Sequence, residues 1–107
     1  MQDPGLDLHE WESQWQQLEP LVEESPIEAL PELDRLVRRM LAESGYPVDD
    51  IGAAIIDEIE VLAEYREAHR IARAVDRGET IDPGDVGAAV LAFQAIHQHV
   101  LSLKTGF

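Results

Sequence analysis

Ile81-Asp82-Pro83-Gly84-Asp85-Val86 opens the most legible helix in the chain. Asp82 stands where a side-chain oxygen can accept from the free amides of a first turn. Pro83 follows at the first helical position, where a missing N–H costs nothing. Asp85 is the capping-box acid, and Ile81 and Val86 are spaced to staple the turn shut. Beyond them Val86, Val90, Phe93, His97 and Val100 recur at alternating intervals of four and three, which places them on one face of an α-helix.

Three further segments read the same way. Asp7 and Glu10 form a capping box with Leu6 and Trp11 as its staple, ahead of a stripe of Leu8, Trp11, Trp15, Leu18 and Val22. Pro20 is expected to kink or end that helix, because it removes a backbone donor and crowds the preceding turn. Ser25-Pro26-Ile27-Glu28 starts a second helix with the stripe Ile27, Leu30, Leu33, Val37 and Met40/Leu41, stopped at Gly45, with Pro31 either kinking its second turn or marking a later start. A third runs from Ile51 or Glu58 to Arg77, with Ile51, Ile55, Leu62, Tyr65, His69, Ala72 and Val75 inward and Gly78 as its stop. No period-two alternation or internal repeat interrupts this pattern. Short connections favour antiparallel neighbours, so the expected fold is all-α, an antiparallel up-down bundle of about four helices in one domain, 1–107.

Charge sets the next bounds. The 107 residues carry a formal net charge of −14, which opposes direct binding to nucleic acid or to an anionic membrane. The longest near-apolar stretch, Val86 to Ile96, is too short to span a bilayer. The N-terminus lacks the basic and apolar regions of a signal peptide. With no cysteine, thiol chemistry and zinc–thiolate sites are excluded, and a cytoplasmic setting is the default reading.

The charges are also segregated. From Met1 to Asp34 there are carboxylates but no lysine or arginine; the arginines fall between Arg35 and Arg77, and the lysine is Lys104. Arg66, Arg70, Arg73 and Arg77 form one continuous stripe at helical spacing. Such a stripe suits a phosphate or an acidic partner through bidentate contacts. The plainer expectation is pairing with the protein's own acids: Glu67, Asp76 or the acidic first helix.

Other constellations fall short of chemistry. His9, His69, His97 and His99 lack the Glu-x-x-His spacing of bundle metal sites. His69 and His97 fall on core-facing stripes, where a hydrogen-bonded core histidine is the expected role. Trp11 and Trp15 read as core aromatics rather than a binding hot spot. Ser13, Ser25, Ser44 and Ser102 occupy no nucleophile elbow, and Gly84-Asp85-Val86-Gly87 lacks the lysine and hydroxyl of a phosphate loop.

Residues 25–41 (Ser25-Pro26-Ile27-Glu28 through Met40-Leu41), together with Glu64-Tyr65-Arg66-Glu67-Ala68-His69-Arg70-Ile71-Ala72 and Arg77-Gly78-Glu79, resemble small acidic helical proteins of actinobacteria. That resemblance implies a helical fold and a bacterial cytoplasmic setting, and brings no functional residue with it. The chain therefore reads as a non-enzymatic module, without cofactor or metal. It is expected to work through protein–protein contact or self-association at an acidic helical surface. The alternative is a regulatory domain that binds a small anion at Arg66, Arg70, Arg73 and Arg77. A histidine and carboxylate metal enzyme around His69 and His97 is a weaker third reading.

Overall fold

The computed structural model describes residues 4–46 and 56–104, with side chains from 9 to 46 and from 60 to 102. Four helices account for nearly all of it: α1 (Pro4–Glu24), α2 (Pro26–Glu43), α3 (Ile56–Asp76) and α4 (Pro83–Lys104). No strand occurs among the described residues.

The caps work as the sequence suggests at three of the helix ends. Asp82 Oδ1 accepts the Gly84 amide at 2.7 Å, while the Asp82 carbonyl takes the amides of Asp85 and Val86. A Cβ at position 84 would lie 3.1 Å from that carboxylate oxygen, so glycine keeps the cap open. Gly45 and Gly78 close α2 and α3 with φ of 92° and 77°. At both ends the amide after the glycine returns to a carbonyl five residues earlier (Tyr46 to Leu41, Glu79 to Ala74), which satisfies the last turn.

Two expectations are corrected, the start of α1 and the burial of Ile27, and two open ones are narrowed. α1 begins at Pro4, so Asp7 lies inside the helix; Pro4 itself presets the φ of a first helical residue. Of the two outcomes expected at Pro20, the end does not occur: α1 continues to Glu24. Both Pro20 and Gln16 are exposed, so the Gln16 carbonyl, which proline leaves without its helical donor, is within reach of solvent. Ile27, read as the start of the α2 stripe, is 48% exposed, because it lies at the α1–α2 corner beyond the packed core. α3 begins at Ile56, between the two starts expected for it; Ile51 and Ile55 lie outside the described residues.

Ser25 alone joins α1 to α2, which forces the chain to double back. Early α1 meets late α2 (Glu10 and Gln14 with Arg39), mid α2 meets α3 (Asp34 with His69), and Tyr65 of α3 meets Phe93 of α4. α1 and α2 therefore run antiparallel, with Trp11 against Glu43 and Gln14 against Arg39. One hydrophobic cluster joins all four, with Trp11, Leu30, Leu33, Val37, Met40, Leu41, Leu62, Phe93, Ile96 and Val100 almost inaccessible. α2 packs on every other helix, and α4 packs on α3, on α2 and more lightly on α1. With α2 and α4 meeting across the middle, α1 and α3 occupy opposite edges of a flattened body of 41 × 32 × 22 Å.

Candidate functional site

The arginine stripe lies on the outer edge of α3 and does not face the acidic α1. Arg66, Arg70, Arg73 and Arg77 are all exposed, and with Glu67 and His69 they line an open groove of about 490 Å³. Two of the four are paired locally. Arg70 grips Glu67 through both Nε and Nη2, which holds the Glu67 carboxyl below its usual range. Arg77 Nε meets Glu79 at 2.6 Å. Arg66 and Arg73 make no ion pair with any described residue.

The floor of this groove is ordered from beneath. His69 Nδ1 lies 2.9 Å from each oxygen of Asp34, whose side chain is nearly buried. An ionised carboxylate only accepts, so Nδ1 carries the proton and donates it to Asp34. Tyr65, buried beside them, donates its hydroxyl to Asp34 and accepts from Arg38; His69 Nδ1 is 3.3 Å away. Burial foremost, with the charge of Asp34, pushes the Tyr65 hydroxyl far above its ordinary pKa against the Arg38 contact, so it stays a donor. Tyr65 also stacks on the imidazole, with ring centroids 5.4 Å apart. The His69 side chain keeps 32% exposure, and with Nδ1 committed inward its free nitrogen is Nε2.

His97 shows the other fate of a core-facing histidine. It is 5% exposed, Trp15 stacks on it at 4.4 Å, and Nε2 donates to the Trp11 carbonyl at 3.4 Å. Burial lowers its pKa, opposed by that hydrogen bond and by the charge of Glu12, so it sits neutral in the α1–α4 seam. It therefore does not meet His69, whose partners come from α2 and α3. His9 and His99 are exposed, and no group of three His, Asp or Glu side chains suited to a metal ion occurs among the described residues.

The arginine that does meet the acidic α1 comes from α2. Arg39 bonds Gln14 at 2.6 Å and Glu10 at 3.4 Å, and it approaches Glu43, which in turn accepts the Trp11 indole N–H at 3.1 Å. Arg35 pairs with Glu32. Trp11 is thus a core residue, as expected, and Trp15 is half-buried.

A second groove, of about 480 Å³, runs between α3 and α4. Its floor includes Ala68, Ile71, Ala89 and Ala92, Leu91 stands at its edge 66% exposed, and Glu64, Glu67 and Asp85 carry its charge. Sequence reasoning passed over both Leu91 and Asp34. Each had a signal: Asp34 interrupts the buried sequence Leu30, Leu33, Val37, Leu41 at helical spacing. The apolar residues of α4 extend around more than one face, beyond what one core contact needs.

No helix among the described residues is long and apolar enough to cross a membrane. No family model matches the chain, and no curated protein or solved structure matches it.

Proposed function

We propose that this chain is a non-enzymatic protein-interaction module whose docking surface is the acid-rimmed groove between α3 and α4. The observation that carries this reading is Leu91, a large apolar side chain 66% exposed beside an alanine floor and three carboxylates. Leu91 counts because it continues the apolar floor of Ala68, Ile71, Ala89 and Ala92, and an apolar groove rimmed by polar groups is the kind of surface a partner helix covers. The complementary occupant is a basic amphipathic helix: its apolar stripe meets Leu91 and the alanines, its lysines meet Glu64, Glu67 and Asp85. A net charge of −14 steers such a cation from a distance, and a cytoplasmic setting belongs to the same reading.

The test is calorimetric titration with a synthetic leucine–lysine amphipathic peptide, followed by capture from the native host on wild-type and Leu91→Gln baits. The expected result is about tenfold weaker peptide binding by Leu91→Gln, and a basic protein held by the wild type alone. Equal binding by both baits would remove the groove from consideration. A dimer in sedimentation that Leu91→Gln dissolves would replace the partner by a second copy of the chain.

A second reading rests on a different observation. Arg66 and Arg73 stand unpaired among the described residues, beside a groove, which supports a small anion as ligand. A rise in melting temperature with phosphates or dicarboxylates, lost on removing arginines of the stripe, is its test.

A further inference from the structure

From the juxtaposition of Arg66, His69 and Arg73 above the buried Asp34, we infer a binding site for the phosphate monoester of a small molecule. The inference rests on the small-anion reading and narrows it to three residues and one ligand class.

Position comes first. Arg66 and Arg73 are three residues before and four residues after His69, the spacings that bring side chains together on one helix face. They are about 10.5 Å apart along the helix axis, a span that two arginine side chains close over the imidazole between them. These are also the two arginines of the stripe without an ion pair among the described residues, whereas Arg70 and Arg77 are engaged by Glu67 and Glu79. The two arginines without a described partner and the histidine therefore coincide on one side of the groove.

Orientation comes second. Asp34 fixes the His69 ring through Nδ1 at 2.9 Å, and Tyr65 backs it by stacking. The ring cannot turn without leaving a buried carboxylate short of a donor, which is costly. Nε2 is the nitrogen left for the groove, already aimed before any ligand arrives.

Ligand class follows from these atoms. Two guanidinium forks supply bidentate donors for oxyanion edges. With a neutral ring, Nε2 is an acceptor, so the ligand must also offer a proton. A phosphate monoester does both up to about pH 6, its second ionisation, where a P–O–H is present alongside oxyanions. A dicarboxylate at neutral pH offers oxygens alone. When the ring is charged, Nε2 donates to a phosphate oxygen instead, and the site accepts the same ligand in either state.

Size follows from the rest of the surface. A long polyanion or an anionic bilayer would feel the whole net charge of −14. A single small ion seated here feels mainly its neighbours, since charges beyond about 8 Å are screened at physiological salt.

Calorimetry with inorganic phosphate, glycerol phosphate and succinate tests the assignment, with anionic phosphatidic acid vesicles as a separate arm. The expected outcome is millimolar or tighter binding of both phosphates, at least about tenfold weaker for succinate, with no vesicle binding. Arg66→Ala/Arg73→Ala should abolish it, Arg77→Ala should leave it within about twofold, and His69→Gln should weaken it about tenfold. Because His69→Gln also disturbs Asp34, the ¹⁵N shift of His69 Nε2 in the wild-type chain gives an independent reading and should move on titration with phosphate. An unmoved Nε2 overturns the inference, as does preference for succinate or for vesicles. Binding that survives Arg66→Ala/Arg73→Ala but is lost in Arg70→Ala/Arg77→Ala overturns it while leaving the broader anion reading in place. If none of the small anions binds, both fall.

Discussion

His69 and His97 stand on inward-facing stripes of adjacent helices, yet the protein treats them as different kinds of residue. His97 meets a backbone carbonyl and an indole face, loses its water, and is held neutral. His69 meets a carboxylate and keeps a third of its side chain open to a groove lined with arginine. The difference lies in the partner each helix face supplies. α1 presents tryptophan and a helical carbonyl to His97, and burial there favours the uncharged form. α2 presents Asp34 to His69, and a buried acid needs donors in a fixed orientation. One histidine became packing, and the other became a positioned group with a free nitrogen.

Substitutions can break this contrast, beginning with the wall of the His97 pocket. Trp11 is 1% exposed and forms part of the seam, so Trp11→Ala should cost about 3–5 kcal/mol in urea unfolding. A loss under about 1 kcal/mol would mean the seam is not closed.

Removing His69 should cost about 2–3 kcal/mol, because Asp34 stays behind, buried and short of a donor. The double variant Asp34→Leu/His69→Leu should be less destabilised than His69→Leu alone, since no uncompensated charge remains. Additive losses in that cycle would show that the two side chains do not interact.

His97→Leu should cost less than about 1.5 kcal/mol, because a neutral ring with one long hydrogen bond is replaced by apolar volume. Its sharper signature is pH. The unfolded chain protonates His97 below about pH 6.5, while the folded pKa is depressed by burial. The unfolded state therefore binds more protons in that window. The stability associated with a neutral His97 is complete above about pH 6.5 and is lost as pH falls toward the folded value. Melting curves from pH 7.5 to 5 should show a fall in the wild type that is shallower in His97→Leu; parallel curves would contradict a buried neutral ring.

The smallest effect belongs to the arginines. Arg66→Ala and Arg73→Ala should each move stability by no more than about 0.5 kcal/mol, as exposed side chains without an ion pair among the described residues do. A larger loss would mean that they support the fold rather than a ligand.

The four helices were readable because each carries its own start, stop or stripe. Asp82-Pro83, Ser25-Pro26, Gly45 and Gly78 act within a turn of where they stand, so local chemistry suffices to place them. Whether Pro20 would end α1 was not legible, for the converse reason. The local penalty is real, but burial of Trp11 and the α1 contacts with α2 and α4 hold the helix together across it. Asp34 was legible only as an anomaly, a charged residue at an apolar spacing, and its partner lay 35 residues away. The arginine stripe was visible by number, but whether it faced α1 or water was not.

What the sequence determined by itself is therefore the set of helices, their polarity of charge and the arginine spacing on α3. These depend on contacts within a few residues, which any reader of the chain can count. Only the tertiary structure decided that α2 and α4 meet across the middle and leave α1 and α3 on opposite edges. That arrangement turned Arg39 rather than the α3 stripe toward the acidic helix, and it set Asp34 beneath His69 and Trp15 over His97. The reason is that the apolar faces of these helices can pack in several orders, and side-chain volume across the shared core selects among them.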